Sequence, residues 1–213
     1  MELQSLVIMV TSLIVALSIH EFAHAAAAEY LGDPTARLKG RLTLNPIAHL
    51  DIAGSIVFII TLAGSLASGS NFVFGWGKPV PVDPYNLDHP KRDMAIIAIA
   101  GPVSNFITAV ILSIALHLIQ AYQFLPAVPL IPFFVSLLMI SVTLGVFNLI
   151  PIPPLDGSRI MSALLPDDLS RQYNLFLSQF GFIVLLMLLY TNIIGLILHP
   201  VTSSILRILL PGN

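Results

Sequence analysis

Three residues of this 213-residue chain are suited to joint chemistry: His20, Glu21 and His24, in the run His20-Glu21-Phe22-Ala23-His24. On a helix, residues four apart share a face, so both imidazoles can reach one metal ion. Glu21 stands one step round the helix, close enough to take a proton from an attacking water. The bland alternative is a polar helix end with two incidental histidines, but such groups beside an apolar span are costly unless they have a role. The chain has no cysteine. Thiolate ligands and thiol nucleophiles are therefore excluded, and any metal must be held by nitrogen and oxygen.

A hydrolytic zinc centre usually takes three protein ligands and keeps one position open. Nothing suitable follows His24 on its own helix, and Asp156 is the best candidate elsewhere. It follows Asn148-Leu149-Ile150-Pro151-Ile152-Pro153-Pro154-Leu155 at the end of an apolar block. The prolines force a stiff, extended approach, and Gly157 permits a tight turn behind the aspartate. The alternative for Asp156 is capping of a following short helix.

The elements that must position these residues belong to a membrane protein. Hydrophobic residues make up 56% of the chain and charged residues 9%, with mean hydropathy +0.92. A soluble domain is about 25% charged. The apolar residues fall in blocks at 3–19, 52–67, 94–119, 130–150 and 176–198, and blocks of about 20 match a bilayer's hydrocarbon thickness as helices. The net charge of −2 gives no reason to invoke nucleic acid. Glu2 stands where a secretory signal carries positive charge, and the helical pattern continues through His20 to Tyr30, so the N-terminal run reads as mature sequence.

The expected fold is an all-α polytopic membrane protein, a single domain over 1–213 with about four full transmembrane helices. The first helix, 3–31, carries the histidines and ends at Gly32-Asp33-Pro34, where glycine and proline stop it. Turns and short extended pieces follow, with a small β-hairpin after that helix. Residues 52–68 form a re-entrant or buried segment, and 72–90, around Gly75-Trp76-Gly77-Lys78-Pro79, an ordered loop. Helices at 94–121 and 130–150 precede the loop 151–157. Short interfacial helices are expected between 158 and 179, with a last span at 176–198.

The re-entrant assignment comes from parity. If every block crossed once, His24 and Asp156 would lie on opposite faces. The second block is the shortest, and its Gly54, Gly64, serines and alanines suit a buried segment. With it re-entrant, all nine Lys and Arg except Arg207 share the metal side. The positive-inside rule then makes that side cytoplasmic and the N-terminus external.

These motifs carry a resemblance. His20-Glu21-x-x-His24, then Gly101-Pro102-x-x-Asn105 on a second apolar helix, then Asn148 through Leu155-Asp156-Gly157 ending a third, resemble in kind and order the site-2 protease family of intramembrane zinc metalloproteases. The similarity covers most of the chain, without a PDZ-like insertion or a CBS module, as in a minimal member. It implies Zn2+ held by His20, His24 and Asp156, with Glu21 as general base. It implies that Asn148 binds substrate or stabilises the oxyanion, and that Asn105 does similar work or hydrogen-bonds across helices. The family's N-P-x-x-D-G pattern differs here, since Leu149 follows Asn148. The implied partners are a transmembrane protein substrate and the lipid bilayer, and the implied location is a bacterial or archaeal cell membrane.

Two competing readings are a zinc or proton-coupled transporter and an inactive zinc-binding scaffold. A transporter calls for titratable groups along several helices, whereas the last three apolar blocks hold few besides His117. A scaffold does not need Glu21. His49 and Asp51 read as loop structure or as a second ligand pair, and Trp76 with Lys78 as an interfacial anchor or an access loop.

Overall fold

The computed structural model describes residues 3–68 and 73–210, and among them the chain is all-α, without a strand. The elements are α1 (Leu3–Tyr30), α2 (Thr35–Leu38), α3 (Ile52–Ser68), α4 (Pro90–Ala121), α5 (Ile131–Asn148), α6 (Asp156–Leu164), α7 (Asp167–Tyr190) and α8 (Ile193–Leu209). Four helical stretches are long and apolar enough to cross a membrane: Leu3–Tyr30, Pro90–Ala121, Leu125–Asn148 and Asp167–Tyr190.

α1 contains neither proline nor glycine over its 28 residues. It stops where Gly32 takes φ +100°, a conformation that favours glycine, and the Asp33 N–H closes back on the Ala28 carbonyl at 2.9 Å. Asp33 is fully buried. Its carboxylate accepts from the Thr35 N–H (3.1 Å) and hydroxyl (2.5 Å), the Asp83 N–H (2.8 Å) and the Asn86 amide (2.8 Å). Burial opposes ionisation of Asp33, but these donors outweigh it and hold its pKa below the ordinary carboxylate value. One aspartate thereby ties the end of α1 to the loop that leads into α4.

α4 runs antiparallel to α1. Ile97 lies against His24, Gly101 between His24 and His20, and Ala109 and Leu112 in one cluster with Ala16. α5 packs on both helices, adding Leu137, Leu138 and Val142 to that cluster, while Gly145 sits against the Phe106 ring. Small residues at these crossings let the backbones approach closely, as membrane helices require. α6 also packs mainly on α4.

α3 buries a single residue, Gly54. Residues 73–77 return along it in extended form. Phe74 and Thr61 exchange hydrogen bonds in both directions (3.0 and 2.9 Å). Gly75 faces Phe58, Gly54 lies under the Trp76 carbonyl, and Gly77 forms an isolated antiparallel bridge with Leu50. The start of α3 and the end of its return leg therefore lie side by side.

Two expectations are corrected. The β-hairpin after the first helix does not form among the described residues. α2 replaces its first arm, Pro46 opens a one-turn helix Pro46–His49, and Arg41 spends its guanidinium on the Lys78 and Pro79 carbonyls, the second at 3.4 Å. The partner for that stretch is thus a side chain rather than a second strand. The last span expected at 176–198 is broken at Thr191–Asn192, where Asn192 adopts φ 58°, and becomes α7 and α8. α7 also begins earlier, at Asp167, so the expected short interfacial helices reduce to α6. At its far end α8 accepts from the Ser113 hydroxyl through the Leu209 carbonyl at 2.5 Å. That is 12 residues beyond Gly101 on α4, about 18 Å at 1.5 Å per residue.

Candidate metal centre

The histidines lie one turn apart in the C-terminal half of α1, both buried. Their rings meet edge to face, with centroids 4.6 Å apart. α6 begins at Asp156 and carries that carboxylate into the angle between the rings. The distances are 3.0 Å from His20 Nε2 to His24 Nε2, 3.1 Å from His20 Nε2 to Asp156 Oδ2 and 3.2 Å from His24 Nε2 to Asp156 Oδ2. Tetrahedral zinc with bonds near 2.05 Å separates its ligand atoms by about 3.3 Å. The three donors thus stand within a few tenths of an ångström of zinc geometry, and their chemistry, two imidazoles and one carboxylate, suits that ion.

Two glycines make this convergence possible. A Cβ on Gly101 would strike His24 Nε2 and lie 2.5 Å from His24 Cε1 and 2.6 Å from His20 Cε1, so only a residue without a side chain lets α4 pass this close to both rings. A Cβ on Gly157 would strike the Leu149 carbonyl and come within 2.5 Å of the Ile150 carbonyl. Gly157 has no positive φ. Its requirement is space under the Leu149–Ile150 backbone, not the tight turn that the sequence suggested.

His24 Nδ1 donates to the Ile97 carbonyl at 2.7 Å, which fixes that ring and directs its Nε2 toward the other donors. Glu21 is buried at 9% exposure, and its charge acts on both His24 and Arg41. Arg41 is itself buried. Burial lowers its pKa, and the Glu21 charge opposes that effect.

The remaining sequence candidates are distributed as follows. Asn148 ends α5, where its amide donates to the Leu144 carbonyl at 3.0 Å. Asn105 is fully buried on α4, one turn beyond Gly101. His49 donates through Nε2 to the Thr43 carbonyl (2.7 Å), and Asp51 accepts from the Gly54 N–H (2.8 Å) at the start of α3. Both are loop structure rather than a second ligand pair. Among the described residues, His20, His24 and Asp156 form the single cluster of three or more ligand-type side chains spaced to hold a metal. Sequence reasoning gave no role to Gly101, Ile97 or Arg41.

Comparisons with known proteins give the family. Residues 116–188 match the model of peptidase family M50. A Bacillus subtilis (strain 168) protein with the name "Putative zinc metalloprotease YwhC" is 39% identical over 200 residues, covering 92% of this chain and 86% of that protein. The chain belongs to peptidase family M50. This M50 chain is also 30% identical over 191 residues to "Putative zinc metalloprotease Rip2" of Mycolicibacterium smegmatis, covering 87% of this chain and 67% of that one. A 76-residue stretch is 38% identical to "Zinc metalloprotease MJ0392" of Methanocaldococcus jannaschii, over 36% of this chain and 21% of that protein. No solved structure matches it. As a member of M50, the site-2 protease family, the chain is a zinc metallopeptidase, and its four apolar helices make it an integral membrane protein.

Proposed function

We propose that this M50 peptidase hydrolyses peptide bonds within or next to transmembrane segments of membrane-anchored proteins. Zinc would be held by His20, His24 and Asp156. The observation that carries this reading is the near-equilateral triangle of donor atoms, with sides of 3.0 to 3.2 Å, beside the buried carboxylate of Glu21. When bound, zinc supplies Lewis acidity that polarises a carbonyl and acidifies water. Glu21 takes the proton from the attacking water and delivers it to the leaving amine. Asn148, at the mouth of the helix that leads to Asp156, donates its amide to the substrate or the developing oxyanion once it releases the Leu144 carbonyl. A helical substrate hides each carbonyl behind its own hydrogen bond, so the scissile segment must unwind before it reaches these groups.

The test is cleavage in lipid vesicles. A purified single-span substrate should be cut in or beside its span, the activity should vanish with a zinc chelator, and zinc should restore it. Cleavage of soluble peptides alone, or zinc uptake into the vesicles without proteolysis, would overturn the assignment.

The metal side is assigned to the cytoplasm and the N-terminus to the exterior of a bacterial or archaeal cell membrane. α3 is assigned as a re-entrant segment, which the adjacency of Leu50 and Gly77 supports. Arg207, in the last turn of α8, lies near the helix end tied to Ser113, away from the donors. Because the chain has no native cysteine, single cysteines at Lys39 and Lys78 give a clean test. Both should react with an impermeant maleimide from the cytoplasmic side only, and labelling of Lys78→Cys from outside contradicts the topology.

A further inference from the structure

We infer that Asn105 is the positioning residue for the His20 ligand, its carboxamide oxygen accepting from His20 Nδ1–H directly or through one water. The inference rests on the zinc-site reading above and adds to it a residue that touches no substrate.

The argument begins with an asymmetry between the two histidines. Each presents Nε2 to the donor triangle, so each must do something with its Nδ1. His24 Nδ1 donates to the Ile97 carbonyl. His20 Nδ1 is buried and, among the described residues, has no hydrogen-bond partner. A metal-ligating imidazole almost always donates its second N–H to a fixed acceptor, which sets the tautomer and ring orientation.

α4 supplies the acceptor. Ile97, Gly101 and Asn105 are four residues apart on this one helix and share a face. Ile97 holds His24, and Gly101 passes against the Cε1 edges of both rings. Because α1 and α4 are antiparallel, Asn105 falls on the His20 side of Gly101. Helical side chains lean toward the N-terminus of their own helix. Both histidines lean toward the N-terminus of α1, and Asn105 leans back toward Gly101 along α4, which directs its carboxamide to the level of His20.

Asn105 also has a need to be met. It is 0% exposed, and neither its Oδ1 nor its Nδ2 has a partner among the described residues. An unpaired buried amide is expensive, the more so in an apolar membrane domain. The inferred contact joins the unpaired donor on His20 to the unpaired acceptor on Asn105. A pure packing role would be served better by leucine, which fills similar space without polar atoms.

The test measures zinc affinity of the full chain in detergent by competition with a chelator, together with the melting temperature of the metal-free protein. Asn105→Leu should weaken zinc binding by about 10- to 100-fold, while the metal-free protein still melts cooperatively within a few degrees of wild type, because leucine fills the space of the carboxamide and only His20 Nδ1 loses its acceptor. Asn105→Asp, which keeps an acceptor, should bind within a few-fold of wild type. If Asn105→Leu binds zinc as tightly as wild type, or if Asn105→Asp is as impaired as Asn105→Leu, the inference is overturned while the zinc site stands. If wild type itself binds no zinc, both readings fall together.

Discussion

Glu21→Gln should retain zinc at the wild-type stoichiometry and lose cleavage by a factor of about 100 to 10,000, the usual share of a general base. Glutamine keeps the shape of glutamate and fills the same buried site at the start of the last three turns of α1. It cannot accept a proton at neutral pH, so water activation is lost while the donor triangle of His20, His24 and Asp156 is untouched. The substitution also removes a negative charge that acts on His24 and Arg41, so zinc affinity is expected to shift modestly rather than collapse. Metal analysis of the purified variant, set beside its rate in the vesicle assay, separates these effects. Undiminished cleavage with zinc in place would remove Glu21 from the mechanism.

Gly101→Ala should be as damaging although it adds one methyl group. That methyl would lie 2.5 to 2.6 Å from the Cε1 atoms of both histidines, where ordinary contact begins near 3.4 Å. Either the rings rotate out of the triangle or α4 moves away from α1, and the latter also pulls the Ile97 carbonyl from His24. Overpacking of this kind costs about 1 to 3 kcal/mol, and much of it falls on the ligand geometry. Zinc affinity should drop by roughly 100-fold, equivalent to about 2.7 kcal/mol, with proteolysis lost at ordinary zinc concentrations. Gly145→Ala is the matched control. The nearest atoms to its methyl are in the Phe106 ring, at 3.1 to 3.3 Å, and it should leave zinc affinity within a few-fold of wild type. Equal affinities for wild type and Gly101→Ala would mean that the rings have slack the structure does not show.

Much of this was legible in the chain itself, for identifiable reasons. The pair His20 and His24 declares itself because helical periodicity is local and needs no knowledge of the fold. Asp156 was found by asking what a zinc ligand set lacked, and the rigid prolines before it pointed to a placed carboxylate. Long apolar blocks gave the all-α membrane class for the same reason that hydropathy always works: the bilayer sets the length of what crosses it. The failures have physical causes too. The Ile97 carbonyl belongs to the main chain, which every residue shares, so no residue type marks it. The space behind the histidines that Gly101 leaves depends on how close two helices come, a distance that is not written in either one. The break at Asn192 was overlooked because Thr191 and Asn192 are only two polar residues in a long apolar run, and hydropathy averages them away. Arg41 bonding to two carbonyls, in place of strand pairing, follows from burial that only the folded chain imposes.

The proposed third ligand, Asp156, is the first residue of α6, 136 positions after His20, and α6 reaches the histidines by docking on α4. A chain entering the membrane from its N-terminus therefore exposes the His20-Glu21-x-x-His24 helix to its surroundings long before the centre can close. Two imidazoles on one helix hold zinc far more weakly than a completed set of three donors. If these three residues hold the zinc, tight metal capture waits for α6 to dock. On the proposed ligand set, a chain that lacks a docked α6 lacks a complete metal centre and with it the means to cut.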